Sequence, residues 1–228
     1  MSREIKESVA TGCRVLGHVD HGDLIWGHVS ARDPGGRGVW MKPSGLGFEE
    51  VGPDDVILVS WDGEVLDGRR SRHAEYPIHT EVMRARPDVG AVVHSHARSA
   101  VVLGALGAPL RPVSHEANLF VPPDAPRFTE TGDLILTAEL GRKVAGTLGD
   151  RNACLLVNHG MVTAAQDVPA AVMAAYFLER ACGTQLMGMA AGGWATWSGP
   201  EESRAKREHC YGEPLVRGAW EYLVRVVS

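Results

Sequence analysis

Apolar positions at Ile5, Val9, Cys13 and Leu16 recur with charged residues between them, which predicts an amphipathic helix over residues 3–18. Downstream the period shortens. Apolar segments at Leu24–Val29, Gly38–Met41 and Val56–Trp61 are punctuated by Asp33-Pro34-Gly35-Gly36 and by Asp62-Gly63. The second is a hairpin turn pair leading into Glu64-Val65-Leu66, so this stretch reads as antiparallel strands. From Glu75 the pattern turns helical: Pro77 suits a first turn, Ile78, Val82 and Met83 share a face, and Arg86-Pro87-Asp88 ends the run. Gly90–Val93 is a short β-type segment that ends on His94-Ser95-His96.

A helix over Ser99–Leu106, a strand or loop over Leu110–Phe120 and irregular chain from Pro122 to Pro126 come next. Thr131–Leu148 is expected to be helical, with Leu134, Leu136, Leu140, Val144 and Leu148 as its apolar stripe. Ala153–Val157 is a buried strand candidate ending on Asn158-His159-Gly160, and Val168–Met189 is a long alanine-rich helix. Beyond Gly192 no element is assigned. Strands and helices interleave without a break in composition. Residues 1–228 are therefore expected to form a single α/β domain, with 191–228 as a C-terminal tail.

Composition narrows the classes. At 44% hydrophobic and 22% charged, the 228 residues can bury a core unaided. The net charge of −5, with no basic block, argues against a nucleic-acid footprint. No apolar run is long enough to span a membrane, and Glu4 and Glu7 stand where a signal peptide would turn apolar. Cys13, Cys154, Cys182 and Cys210 lack paired spacing, so they read as reduced, Cys154 as a core residue, and the expected compartment is cytoplasmic. Histidine is the unusual component, with 10 residues.

Two apolar segments end in histidine. On an extended chain, side chains at i and i+2 point the same way, so His94 and His96 can face one ion, as a helix would not allow. His159 occupies the corresponding end of the second segment. Three neutral imidazoles leave a divalent ion its full charge and open positions, as a catalytic site needs. A His-x-His pair alone is also compatible with two hydrogen-bonded strand histidines, and it opens the metal motifs of cupins and amidohydrolases. A cupin would want a nearby acid that Ala97-Arg98-Ser99-Ala100 lacks, and an amidohydrolase barrel needs a longer chain. Glu75, just before the helix leading back to the pair, suits a resting ligand and a general acid/base. It equally suits a first-turn glutamate placed for the helix dipole.

The order of motifs resembles the class II aldolase/adducin family. The residues that carry it are Gly27-His28-Val29-Ser30, Lys42-Pro43-Ser44-Gly45, Val56–Gly63, Glu75 with His79, Arg86-Pro87-Asp88 through His94-Ser95-His96, and Val157-Asn158-His159-Gly160. The resemblance runs over roughly residues 5–190. It implies a three-layer α/β/α sandwich around a mainly antiparallel sheet, and a homotetramer with sites at subunit interfaces. It implies His94, His96 and His159 as ligands of one divalent ion per subunit (zinc first, then manganese, cobalt or iron) and Glu75 as resting ligand and acid/base.

The departures bear on substrate. Phosphate-sugar members tend to carry Gly-Asn where this chain has Gly27-His28, Thr-Gly at Ser44-Gly45, and two serines at His73 and Ala74. Ala74 offers a phosphate no side-chain donor. His28, Ser44, Gly45 and His73 are expected to line the substrate site, with Arg72 pairing with a carboxylate. Glu116 stands where sugar-phosphate aldolases offer a tyrosine to the neighbouring site, and looks like the acid/base of the dehydratase branch, with His115 as a donor beside it. Tyr211 and Tyr222 are candidates for the tail tyrosine that some relatives place over the site. Trp194 and Trp197 read as packing residues of the tail or an interface.

The expected function is a divalent-metal-dependent carbon–carbon lyase on a non-phosphorylated hydroxy- or keto-carboxylate, leaning to decarboxylation of a hydroxylated acid, aromatic acids included. Retro-aldol cleavage of a sugar or sugar phosphate is the alternative, and a non-enzymatic adducin-like interaction module the third.

Overall fold

The computed structural model describes residues 2–228. Eight strands form one sheet: β1 (His28–Arg32), β2 (Gly38–Met41), β3 (Ile57–Ser60), β4 (Val65–Asp67), β5 (Ala91–Ser95), β6 (Arg127–Phe128), β7 (Ala153–Leu156) and β8 (Gly160–Ala165). Their order is β4-β3-β2-β1-β5-β8-β7-β6, and every pair is antiparallel except β6–β7.

The helices are α1 (Ser2–His18), α2 (Tyr76–Ala85), α3 (Arg98–Leu106), α4 (Ala138–Leu148), α5 (Val168–Ala190), α6 (Pro200–Tyr211) and α7 (Glu213–Val227). Strand residues alternate between two cores. Val29, Trp40, Leu58, Val93 and Leu155 pack beneath α1, α3 and α5, and Trp220 and Leu223 of α7 join them. Val39, Ile57, Val92, Cys154 and Val162 pack against Ile78 and Val82 of α2 and Val144 and Leu148 of α4. This is the three-layer α/β/α sandwich with a mainly antiparallel sheet, buried on both faces.

Several local expectations change. Chain from Leu24 to Gly27 is a turn, because Leu24 has φ +50° and is exposed, and β1 begins only at His28. Residues 131–137 are not helical. Thr137 caps α4 by accepting from Leu140 N at 3.2 Å, and Leu134 and Leu136 are exposed while Ile135 is buried. Leu110–Phe120 is loop closing in a 3₁₀ turn at Glu116–Leu119. Strand β8, with no counterpart in the sequence reading, pairs with both β5 and β7, and the unassigned C-terminal region forms α6 and α7.

Candidate metal centre

Cross-strand pairing assembles the centre. His28 of β1 lies opposite His94 of β5, and β8 runs on the other side of β5. His159 sits in the β7–β8 turn, where Asn158 adopts φ +60°, a conformation asparagine tolerates. Gly160 follows because a Cβ there would stand 2.5 Å from the Ser95 carbonyl and about 3.1 Å from the His96 ring. Gly27 has φ +74° and lies against Phe48, which brings His28 onto the strand from a tight turn.

Glu75 stands at the N-cap of α2, yet its side chain makes no cap hydrogen bond. Oε1 accepts instead from Ile135 N at 2.8 Å, so the irregular segment before α4 aims the carboxylate at the histidines. Oε2 is 3.7 Å from His94 Nε2 and Oε1 is 3.5 Å from His159 Nε2. One donor atom from each of Glu75, His94, His96 and His159 falls within a 4.8 Å cluster. Burial raises the Glu75 carboxyl, but His159, His94 and the Ile135 amide outweigh it and hold it at about 2. Burial pushes His94 well below the usual imidazole range.

The nitrogens of the cluster suit a divalent cation. His94 Nδ1 lies 3.0 Å from the Met161 carbonyl and His96 Nδ1 lies 2.8 Å from Asp23 Oδ2. Both partners only accept, so each ring spends its N–H there and leaves Nε2 bare. The two bare Nε2 atoms nevertheless face each other at 3.1 Å, an arrangement that repels unless a cation lies beside both. Both ring nitrogens of His159 are buried without a hydrogen-bond partner, an expense on the order of 1–3 kcal/mol for each idle group. Neutral imidazoles fixed by carbonyl and carboxylate partners are what a zinc-like ion requires.

Beside the cluster a cavity of about 180 Å³ is lined by Trp26, His28, Ser44, Gly45, His73 and Ala74, among others. Two of its polar groups, and a buried lysine behind them, are already engaged. Ser44 Oγ donates to the Ser71 carbonyl at 3.1 Å. His73 Nε2 donates to the Pro43 carbonyl at 2.9 Å, and burial pulls its pKa down to about 4. The fully buried Lys42 donates to the Ile25 carbonyl at 3.0 Å, tying the Asp23–Gly27 turn to this wall. A groove of about 620 Å³ opens outward, with Asp23, Trp26, His96, Arg98, Leu134 and His159 around it.

Other expected residues lie elsewhere. Arg72 turns away from the cavity: Nε donates to the Gly63 carbonyl, and the guanidinium stacks over Tyr76 at 4.2 Å. Glu116 pairs with Arg180 at 3.0 Å, His115 is exposed beside it, and neither lines this chain's cavity. Tyr211 packs edge-on against Phe177 and lines a different cleft, with burial raising its hydroxyl to about 12; Tyr222 is exposed. Two residues escaped the sequence reading. Asp23 orients His96, and Arg98 is an exposed guanidinium at the mouth with no hydrogen bond or ion pair among the described residues. Only the position of Arg98 two residues beyond His96 hinted at the second.

Residues 7–186 match the Class II Aldolase and Adducin N-terminal domain family. The chain is 31% identical over 237 aligned positions to 3,4-dihydroxyphthalate decarboxylase of Arthrobacter keyseri, covering 98% of this chain and 94% of that one. It is 34% identical to decarboxylase NovR of Streptomyces niveus, over 85% of this chain and 70% of the relative. The structure of L-fuculose 1-phosphate aldolase from Glaciozyma antarctica PI12 superposes with a TM-score of 0.87 at 26% identity, over 99% of this chain and 88% of that one. The chain belongs to the class II aldolase and adducin N-terminal domain family, and it is an enzyme, a lyase of a divalent-metal class. No helix among the described residues is long and apolar enough to cross a membrane.

Proposed function

We propose that this lyase decarboxylates a hydroxylated aromatic carboxylic acid. The observation that carries the reading is the mouth of the centre. Trp26 and Leu134, 50% and 46% exposed, border both the cavity and the groove. They offer apolar faces for a ring, and Arg98 offers an unpaired cation for a carboxylate. The wall that would grip a phosphate has lost its donors: Ala74 has none, and the Ser44 hydroxyl is spent on Ser71. The two decarboxylase relatives support the same direction.

His94, His96 and His159 would hold the ion, with Glu75 as resting ligand, and the ion's charge would stabilise electron density left on the substrate as the carbon–carbon bond breaks. Zinc suits these donors, and manganese, cobalt or iron fits them too. Decarboxylation releases CO₂ and leaves a carbon that needs one proton, and Glu75 is the carboxylate placed to carry it. Asp23 keeps His96 in one tautomer, and Ile135 N keeps Glu75 aimed. A cytoplasmic homotetramer with interfacial sites fits the exposed Leu24, Ile25, Val102 and Leu106. His115 and Glu116 would then serve another copy's site.

The test is CO₂ release against aldehyde release over a panel of hydroxylated aromatic acids, including 3,4-dihydroxyphthalate, and sugar phosphates. CO₂ from an aromatic acid is expected; turnover of sugar phosphates alone would overturn the reading. Arg98→Ala is expected to raise KM about tenfold, the scale of a charged hydrogen bond, while Arg72→Ala leaves KM unchanged.

A further inference from the structure

Helix α3 begins two residues after His96 and lacks a cap of its own. Its N-cap residue is the buried Ala97, which has no side-chain acceptor for the amides of the first turn. The acceptor comes from α5 instead. Glu179 Oε1 accepts from Ser99 N and Oε2 from Ala100 N, each at 2.9 Å, across 80 and 79 residues of chain. Those are the two amides that a serine or aspartate at the N-cap would satisfy.

Glu179 is half-buried and makes no ion pair among the described residues, so the positive end of α3 is the charge that holds its carboxylate. One turn along α5, Gly183 leaves room for this approach: a Cβ there would stand 3.2 Å from Ser99 Oγ. Gln185 of the same helix accepts from Arg111 N at 2.6 Å and donates to the Pro109 carbonyl at 2.9 Å. Helix α5 therefore grips α3 at its start and the chain just beyond its end.

The residues beside the grip show what it controls. His96 has other support, because Asp23 lies 2.8 Å from its ring and β8 pairs with the strand before it. Arg98 has none. It is the first residue of α3, exposed at the groove, and its guanidinium makes no hydrogen bond or ion pair among the described residues. Its place is set by the first turn of the helix, which Glu179 fixes. The same contact fills the α3 N-terminus with a carboxylate of the protein's own, so a ligand's oxyanion meets Arg98 rather than those amides.

We infer that Glu179 is a positioning residue for the substrate: by capping α3 from α5 it holds Arg98 at the mouth, where the guanidinium receives the substrate carboxylate. The inference rests on the proposed reading of Arg98 as the cation for that carboxylate.

The experiment has two arms. The first is hydrogen exchange, read residue by residue on the metal-loaded protein. Amides of a first helical turn have no intrahelical partner, so slow exchange at Ser99 and Ala100 of the wild type is expected from the Glu179 contact. Fast exchange at either would overturn the inference, and that result needs no variant. In Glu179→Gln one oxygen remains and an NH₂ group faces the second amide. Exchange there should rise about tenfold or more, the scale of a lost charged hydrogen bond, with metal content unchanged.

The second arm measures KM and kcat for CO₂ release from 3,4-dihydroxyphthalate in the wild type, Glu179→Gln, Arg98→Ala and the double variant. Glu179→Gln is expected to raise KM about 3- to 10-fold at nearly unchanged kcat. Removing a negative charge from the first turn of α3 would by itself favour an anionic substrate, so a higher KM reports lost positioning. In the double variant KM should be no higher than in Arg98→Ala alone, because Glu179 acts through Arg98. Effects that multiply, or a fall in kcat at unchanged KM, would mean a merely structural role and overturn the inference. If the wild type turns over no aromatic acid, the functional reading fails and the substrate role of Glu179 falls with it, whatever the exchange shows. If it turns over the acid and the two effects multiply, only the inference fails.

Discussion

Two groups of imidazoles meet at Glu75 and differ in how their nitrogens are satisfied. On one side, His94, His96 and His159 converge with Nε2 atoms bare or idle, two of them 3.1 Å apart. On the other, His28 and His79 give each other and Ser30 every contact they need short of the cavity. Burial alone does not separate them: His94 is as buried as His28 and His79, while His96 and His159 are half-buried. The group left electrostatically unsatisfied suits a cation, whereas the rings of the second group already have hydrogen-bond partners. Removing a member of the first should therefore harm function and spare the fold. Removing a member of the second should leave the ion in place and harm the fold.

The largest effect is expected for His159→Ala. Stoichiometric metal is lost and turnover falls to background, while the melting temperature of the metal-free protein barely moves, because the ring makes no hydrogen bond there. Metal analysis and thermal unfolding check it together. Acid comes next. Burial holds His21 and His73 at about 4 and His79 at about 3, below the ordinary 6.5. Their folded-state values are depressed, so the stabilisation is present above 6.5 and is lost as pH falls toward 4, when the unfolded chain binds protons that the folded chain refuses. Denaturant titrations of chelated protein should lose about 1.4 kcal/mol per pH unit for each such histidine.

Asp23→Asn keeps the shape but weakens the acceptor that fixes the His96 tautomer. Metal affinity should drop about 10- to 100-fold, read by competition with a chelator, and an unchanged affinity would break the assignment of Asp23. His79→Leu is expected to cost about 1–3 kcal/mol of unfolding free energy, through the unpaired partners it leaves, with metal content unchanged. If it lost metal as His159→Ala does, the contrast between the two groups would collapse.

Much of this contrast was readable in the chain, and the unreadable parts have physical causes. The i, i+2 spacing of His94 and His96, the Pro77 start of α2 and the Asp62-Gly63 turn are local signals, and the structure contains each. Strand β8 was hidden because Gly-Met-Val-Thr-Ala-Ala is buried along most of its length and carries neither alternation nor many branched residues. Leu134 and Leu136 stand at apolar positions of a helical pattern, yet both are exposed, and Leu134 borders the mouth. Spacing alone does not separate a leucine meant for the core from one meant for a ligand. Arg72 and Arg98 show the same limit for charge: which arginine reaches the site depends on where Gly63 and Tyr76 lie. Asp23 meets His96 across 73 residues, a contact that no local pattern encodes.

On the proposed reading, Glu75, His94, His96 and His159 form the metal centre on which the lyase depends. Elemental analysis of the purified protein, repeated after incubation with zinc, manganese, cobalt or iron, decides it. About one divalent ion per chain is expected, absent from His159→Ala. A wild-type protein that retains none of these ions, or a variant that retains as much as the wild type, would contradict it.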